Sequence, residues 1–274
     1  FHSYKNSAAL EFECNRMISL NLKCSIGDQM LPSGRLCSKT YRLIESIYSQ
    51  IEKKSPWCQE AEVVTETAIM NPEEFKNFKN HNDISNAAIG TSKILQQCGI
   101  QYDVIDSQCG FVNDNYKVII LPDEIPVNQS LEKKLNDYLS NGGSLLVSHR
   151  SGLDIFQEKF FAGLGIEYVS PAPYEPDFFY ALPGFSDELS DTEYVMYMRG
   201  TRVSPNENTK ILAHVKKPYC NRTEKDFFSH MHSPVYGEAD YPAVVQKKNV
   251  IYLAHPVFSI YNKYAPAWCK QIAK

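Results

Sequence analysis

The sequence predicts an α/β fold in which a parallel sheet is flanked by helices, and three observations support this. Residues 118–121 (VIIL) form an unbroken, mostly β-branched apolar run, which is typical of a strand covered on both faces. Residues 131–139 repeat apolar side chains at helical spacing, and the Asn-Gly-Gly that follows ends the helix. Residues 145–147 begin another apolar strand, so the segment reads as a parallel strand–helix–strand crossover.

The composition is that of an ordinary globular protein. The chain has 274 residues, 43% of them hydrophobic and 22% charged, which is enough for one large or two ordinary domains. Its formal net charge of −4 comes without long runs of either sign, so we expect no nucleic-acid partner. Because no apolar run approaches the roughly 20 residues of a membrane span, and no signal-peptide pattern opens the chain, we expect no membrane partner.

The cysteines lie apart from one another, without a Cys-x-x-Cys pair. This spacing argues against a zinc site and favours a reducing compartment, so we predict a cytoplasmic protein without metal or other cofactor. The opening FHSYKNSAAL also leads us to expect a piece of a longer protein. The eight cysteines are Cys14, Cys24, Cys37, Cys58, Cys98, Cys109, Cys220 and Cys269.

Residues 1–58 read as one βα unit preceded by a helix. Helical composition covers residues 8–20, and a short strand is predicted over 22–26. Ser38 then caps a second helix that runs to about residue 53. A single unit of this kind cannot close a barrel or cover its own sheet edge, so it packs on the next domain or has neighbours that precede it. The apolar stripe of the second helix is Ile44, Ile47, Tyr48 and Ile51.

A second domain is predicted over residues 59–274. Strands are expected at 62–70 and 102–105, separated by a helix. Together with the two strands and the helix described first, the order up to residue 147 is strand, helix, strand, strand, helix, strand. This order is half of a doubly wound sheet. The apolar stripe of the helix between the first two strands is Ile84, Ala88, Thr91, Leu95 and Cys98.

The pattern is less regular beyond residue 152. We expect a short helix that contains Phe156, Phe160 and Phe161, and an ordered irregular loop over 171–184 that is rich in proline and aromatic residues. Later strands are candidates for antiparallel pairing. They are predicted at 194–198, 210–215, 243–246 and 250–254, after a strand at 166–169.

The polar run that follows residue 147 lies at the carboxyl end of a strand, where open α/β sheets bind their ligands. His149, Arg150 and Ser151 are therefore our sheet-edge candidates, with Asp123 and Glu124 at the end of the preceding strand. The run is either a binding site or a structural or interface turn. Its position invites comparison with the class I glutamine amidotransferases, whose flavodoxin-like sheet carries a nucleophile in a Gly-x-Cys-x-Gly turn.

No amidotransferase chemistry is predicted for this turn. With Arg150 at the centre of the pattern, the chain has no thiol to attack an amide. Ser151 is a weak candidate for a hydrolase nucleophile, because no small residue stands at the first position of the elbow.

Two other groups of polar residues are candidates for function. If residues 22–26 form a barrel strand, Asp28 and Gln29 lie at the rim where (β/α)8 enzymes assemble their sites, and their oxygens and amide suit sugar hydroxyls. The alternative is an aspartate that caps local backbone amides. His230 and His232 would share one strand face, with His214 and His255 as further candidates. No ligand at metal spacing follows them, so no metal site is predicted.

Two stretches resemble known families. CSIGDQMLPSGRL followed by TYRLIESIYSQIEKKSPWC resembles the last barrel strand and helix of hypothetical glycosyl hydrolases related to α-L-fucosidase and family 42 β-galactosidase. YKVIILPDE and LEKKLNDYLSNGGSLLVSHRSGL are similar to the β-galactosidase trimerisation domain, which has the class I amidotransferase fold without its chemistry.

The resemblance implies the C-terminal part of a glycoside hydrolase of carbohydrate metabolism. Residues 1–58 would end the (β/α)8 barrel, and residues 59–274 would be a non-catalytic accessory domain. The implied partners are the rest of the barrel, further copies of the chain and the carbohydrate substrate of the parent. The catalytic carboxylates would lie on earlier strands, so only Asp28 and Gln29 remain as rim contacts. A stand-alone small-molecule or sugar-binding module and a degenerate amidotransferase-like hydrolase are the alternatives.

Overall fold

A computed structural model describes residues 3–75, 85–109, 116–227 and 229–274. The chain divides into two compact units, Phe1–Val64 and Thr65–Lys274. Ile84, placed above on a predicted helical stripe, lies outside the described residues. None of the helices in the described ranges is long and apolar enough to cross a membrane.

The first unit is built on two helices, α1 (Ser7–Ser19) and α2 (Ser38–Cys58). Asn6 caps α1, since its side chain accepts a hydrogen bond from the amide of Ala8. Both helices were predicted, but α2 continues to Cys58, with Pro56 in its last turn. The small core between the helices consists of Leu10, Cys14, Ile47 and Ile51.

The strand predicted over residues 22–26 is wrong, because these residues have no regular secondary structure. A strand needs a neighbour to satisfy its backbone amides and carbonyls, and the described part of this unit holds no second strand. Instead, Cys24 and Ile26 pack against the core between α1 and α2.

The parallel sheet of the second unit has the predicted order of elements. Five parallel strands are arranged β2-β1-β3-β4-β11, which is the flavodoxin-like order. This arrangement confirms the predicted α/β fold class. The elements are β1 (Thr67–Met70), α3 (Asn86–Gln97), β2 (Tyr102–Ile105), β3 (Val118–Leu121), α4 (Gln129–Ser140), β4 (Ser144–Ser148) and β11 (Val250–Leu253).

An antiparallel half extends the sheet to nine strands by pairing onto β11. Its strands, in order outward from β11, are β10 (Val235–Lys247), β9 (Lys210–Pro218), β6 (Asp177–Ala181) and β7 (Glu193–Met196). β5 (Ile166–Pro171) and β8 (Thr201–Pro205) form a separate two-stranded sheet. The C-terminal helices are α5 (Val257–Tyr264) and α6 (Ala267–Ala273).

Two expectations for the middle of the chain are wrong. The helix expected around Phe156 is replaced by a turn-rich loop, which an isolated bridge between Leu153 and Phe160 closes. The Asp154 carboxylate accepts the amide of Glu158 there and supports a turn instead of a helix. The loop expected over 171–184 contains β6, whose pairing with β9 and β7 depends on residues distant in sequence.

The two faces of the sheet bury separate cores. On β3, Ile119 and Leu121 belong to the core that includes α4, whereas Ile120 belongs to the core that includes α3 and α5. This alternation places β3 in the middle of the sheet with both faces covered, as its apolar sequence indicates.

Helices α3 and α5 approach each other at Gly90. A Cβ atom at this position would lie 1.9 Å from the carbonyl oxygen of Phe258 and 2.6 Å from its carbonyl carbon. Because backbone atoms cannot move aside as a side chain can, only glycine fits. We expect Gly90→Ala to lower the free energy of unfolding by about 1–3 kcal/mol, the usual cost of overpacking, as measured by urea denaturation.

The matched control is Gly237→Ala. The nearest atom to a Cβ at Gly237 is Cε of Lys217, at 3.9 Å, an ordinary contact. This variant should unfold within ~0.5 kcal/mol of the wild type, the usual range for surface substitutions. Equal stability of the Gly90 and Gly237 variants would show that α3 and α5 are not packed as described.

Candidate functional site

A cleft of about 370 Å³ lies at the carboxyl ends of β3, β4 and β11. The predicted sheet-edge residues come together here, with Asp123 and Glu124 following β3 and His149 and Arg150 following β4. The opposite wall comes from the β5 and β8 region, which sequence reasoning did not select. The remaining lining residues are Tyr168, Pro171, Glu175, Met198, Arg199, Gly200, Thr201, Pro256 and Ser259.

Asp123 is fully buried beneath the cleft and connects three elements. Its Oδ1 accepts the hydroxyl of Ser148 at 2.7 Å, and its Oδ2 accepts the amide and the hydroxyl of Ser259 at 2.8 and 2.6 Å. Burial raises the pKa of Asp123 to about 6, although the hydrogen bonds from Ser259 and Ser148 oppose that increase. The carboxyl group therefore ties the ends of β3 and β4 to the first turn of α5.

His149 and Arg150 are the two central residues of the turn after β4, which the hydrogen bond from the amide of Ser151 to the carbonyl of Ser148 closes at 3.0 Å. His149 has a positive φ of 53°. Its amide donates to the carbonyl of Leu253 at 2.7 Å, and its carbonyl accepts the hydroxyl of Tyr252 at 2.5 Å. Nδ1 of the ring is buried without a hydrogen-bond partner. Burial, followed by the charges of Arg150 and His255, lowers the pKa of His149 to about 3, so the ring is neutral at physiological pH.

The two arginines of the cleft are held differently. The Arg150 side chain is exposed and makes no hydrogen bond or ion pair within the described residues. The Arg199 side chain is fixed, since Nε donates to Glu175 at 3.1 Å and Nη1 donates to the carbonyl of Ala172 at 3.0 Å. The cleft therefore offers one adaptable and one oriented guanidinium.

Ser151, the third sheet-edge candidate, stabilises the turn. It is buried, and its Oγ accepts the amide of Ile125 at 3.0 Å. The amide of the next residue, Gly152, donates to the carbonyl of Ile125 at 2.9 Å. Ser151 is therefore a structural residue that connects the ends of β3 and β4.

A buried histidine–aspartate pair lies behind the cleft wall, and sequence reasoning missed it. Nε2 of His255 is 2.6 Å from Oδ1 of Asp177, and both side chains are almost completely buried. Gly200 leaves space for the pair, since a Cβ there would lie 2.9 Å from the His255 ring. The signal was out of reach because Asp177 begins β6, within the segment predicted as a loop.

The other predicted polar residues do not join this cleft. Asp28 and Gln29 are exposed in a segment without regular structure, and their role at a barrel rim stays a prediction. His230 and His232 lie outside any strand, and Nδ1 of His214 is 3.5 Å from Glu238. Within the described residues, no group of three or more histidine, cysteine, aspartate or glutamate side chains is arranged to hold a metal ion.

Two other clefts carry fewer signs of function. One of about 630 Å³ lies at the amino ends of the parallel strands, near Thr67, Val118 and Ser144, which is the edge that ligands of such sheets do not use. The other, of about 730 Å³, lies in the first unit beside α1 and α2.

The fold and the turn define a flavodoxin-like α/β domain in which a neutral histidine, His149, stands in the turn after β4. Residues 93–165 match the family model of the "Beta-galactosidase trimerisation domain". This segment is therefore similar to the β-galactosidase trimerisation domain, in agreement with the resemblance found in the sequence. No curated protein sequence matches the chain.

Solved structures of glycoside hydrolases resemble the chain over most of its length. α-L-Fucosidase isoenzyme 2 from Paenibacillus thiaminolyticus superposes with a TM-score of 0.89 and 30% identity over 98% of this chain. β-Galactosidase from Bacillus circulans sp. alkalophilus has a TM-score of 0.58 and 14% identity over 82% of this chain. Exo-β-1,4-mannosidase from Opitutaceae bacterium strain TAV5 has a TM-score of 0.55 and 13% identity over 89%. The last two share the fold alone.

The chain spans 41%, 33% and 39% of these three proteins, in the same order. Each of these three proteins is therefore more than twice as long as this chain. This similarity confirms the resemblance to glycosyl hydrolases that the sequence analysis identified.

The network around Asp123 and His149 predicts opposite dependences of stability on pH. The pKa of Asp123 rises from 3.8 in the unfolded chain to about 6, so its contribution is full below pH 3.8 and is lost as the pH rises through 6. The pKa of His149 falls from 6.5 to about 3, so its contribution is full above pH 6.5 and is lost as the pH falls towards 3. In the wild type the two trends partly cancel between pH 4 and 6.

Asp123→Asn removes only the first trend. We expect its free energy of unfolding, measured with urea, to rise more steeply from pH 4 to 6 than that of the wild type, by up to about 3 kcal/mol across the window. Glu207→Gln, which removes an exposed carboxylate, should keep the wild-type slope. Parallel curves for Asp123→Asn and the wild type would contradict the raised pKa of Asp123.

Proposed function

We propose that this chain is an accessory, self-associating portion of a glycoside hydrolase that acts in carbohydrate metabolism. Residues 1–58 would end a (β/α)8 barrel, with Asp28 and Gln29 near its rim, and residues 59–274 would form a non-catalytic domain. The observation that carries this proposal is the 98% coverage of the chain by α-L-fucosidase isoenzyme 2, of which the chain spans 41%. The parent enzyme would cleave a glycosidic bond with two carboxylates contributed by other barrel strands.

The surface of the first unit supports this assignment. Its core has four buried side chains, while many large apolar side chains are exposed, with Trp57 at 86%. An exposed apolar surface of this extent is typical of an interface, and the remaining barrel strands would cover it. Besides Trp57, the exposed large apolar side chains of this unit are Tyr4, Phe12, Leu22, Met30, Leu31, Leu36, Tyr41, Val63 and Val64.

The geometry gives no support to the alternative of a degenerate amidotransferase-like hydrolase. Ser151 is buried against the amide of Ile125, and the hydroxyl of Ser148 donates to Asp123. A serine nucleophile needs a base that accepts its proton and room for a substrate, and neither serine has both.

All eight cysteines are free, which favours a reducing compartment and, within the proposal, a cytoplasmic location.

We expect the purified chain to show no hydrolysis of aryl α- and β-glycosides, including fucosides and galactosides. The physical reason is that the proposal assigns both catalytic carboxylates to barrel strands outside this chain. The measurement is release of nitrophenol, with an intact fucosidase as the positive control. Turnover that co-purifies with the chain and is lost in a Ser151→Ala variant would overturn the accessory role and restore the hydrolase alternative.

The self-association surface is expected within the segment that matches the trimerisation domain. The most exposed large apolar side chains among its described residues are Ile155 at 61% and Phe156 at 74%. Their loop is well braced, because Asp154 donates its amide to the carbonyl of Lys159 and accepts the amides of Gln157 and Glu158. A braced loop that presents two adjacent apolar side chains suits contact with a second copy of the chain.

Sedimentation velocity tests this surface. We expect the wild-type chain to sediment above monomer mass, and Ile155→Asp with Phe156→Asp to shift it towards monomer, because each charge would be buried in the contact. Met231→Asp, which alters a side chain 75% exposed outside the matched segment, should leave the mass unchanged. A wild-type monomer at high concentration would contradict self-association, whereas an oligomer that survives the double substitution would move the contact elsewhere.

A further inference from the structure

We propose that the cleft at the carboxyl edge of the sheet binds a neutral, polyhydroxylated small molecule of monosaccharide size, held between Arg150 and Arg199 above His149. The site is separate from the proposed accessory role, because it lies within the second unit and depends on neither a barrel nor self-association.

The first support is the mixture of charges around the cleft. Two guanidiniums, those of Arg150 and Arg199, line the cleft together with the carboxyl groups of Glu124 and Glu175, and the carboxyl group of Asp123 lies buried beneath it. A sugar hydroxyl both donates and accepts hydrogen bonds, so adjacent hydroxyls can use donors and acceptors together. A phosphate or dicarboxylate would meet the carboxylates, and a cation would meet the guanidiniums, so a neutral ligand fits best.

The second support is that hydrogen bonds hold the side chain of Arg199 in place, whereas the side chain of Arg150 can adjust to a ligand. Within the part of the chain that the structure describes, two of the five donors of Arg199 are engaged, by Glu175 and the carbonyl of Ala172, and these contacts fix the plane of its guanidinium. Arg150 has no partner within the described residues, although it projects from a well-fastened turn. A ligand hydroxyl would provide the hydrogen bonds that the protein leaves unused.

The third support is that two kinds of feature that cost stability occur in the residues that line the cleft. His149 and Asp123 both have positive φ, at 53° and 51°, and Nδ1 of His149 is buried without a partner. Strained backbone and unsatisfied polar atoms each cost stability, and they concentrate at functional sites. Both features lie in the residues that line this cleft, on neighbouring strands of the sheet.

The size and apolar surface of the cleft complete the fit. Its volume of about 370 Å³ lies in the lower part of the ~300–1,000 Å³ range of small-molecule sites. Tyr168 and Met198 offer apolar surface to the C–H face of a sugar ring, and Phe160 holds Tyr168 in an edge-on contact with ring centroids 6.2 Å apart.

Isothermal titration calorimetry on the 274-residue chain tests the proposal. The probes are D-galactose, L-fucose, D-glucose and D-mannose, with galacturonate and galactosamine as charged counterparts. We expect saturable binding of at least one neutral sugar at millimolar concentration and weaker binding of both galacturonate and galactosamine. Arg150→Ala should weaken the neutral sugar about tenfold or more, in line with loss of a charged hydrogen bond.

Two variants control the experiment. Arg150→Gln keeps the length of the side chain but removes its charge and fork, so it should show a similar loss even if Arg150→Ala disturbs folding. Arg35→Ala removes an exposed arginine outside the cleft and should bind as the wild type does. The proposal is overturned if no neutral sugar binds, if only a charged probe binds, or if binding is unaffected by both Arg150 variants.

Discussion

The structure of the second unit depends on one buried carboxyl group, that of Asp123. Removing a carboxyl group from water is costly unless hydrogen bonds replace the lost solvation, and Ser148 and Ser259 provide three donors. Because these donors come from β4 and α5, Asp123 fixes where α5 begins relative to the sheet. The close contact of α5 with Gly90 of α3 then follows, so one polar group sets the position of the helical layer on that face.

The same group determines how the candidate site is presented. The carbonyl of Asp123 accepts the amide of Arg150 at 2.9 Å, and Ser151 ties the next turn to Ile125. With the backbone held on both sides, His149 can keep a positive φ and a neutral ring, and the Arg150 side chain extends into solvent. Buried polar groups thus hold the backbone of the turn in place, while the exposed guanidinium of Arg150 remains available for binding.

The sequence was informative where the signals are local. An apolar run, a helical stripe and a Gly-Gly stop predicted β3, α4 and β4 in order. Of the residues placed at the carboxyl edge, Asp123, Glu124, His149 and Arg150 line one cleft, because parallel strands end at the same edge, whereas Ser151 is buried in the turn. The failures depend on contacts distant in sequence, since the pairing of β6 with β9 and of Asp177 with His255 leaves no local pattern. The positive φ of His149 likewise leaves no pattern in the sequence.

The two-stranded β5–β8 sheet and the segments beside it explain how an open sheet edge becomes a cleft. The parallel strands contribute Asp123, His149 and Arg150, which by themselves would line one side of an exposed edge. Glu175 and Arg199 come from the segments that lead to β6 and β8, on the opposite wall. Since Gly200 leaves room for the buried Asp177–His255 pair, that wall can approach the end of β11. The segments added to the plain flavodoxin-like arrangement therefore also create the opposite wall of the cleft, and recognition at this edge requires both walls.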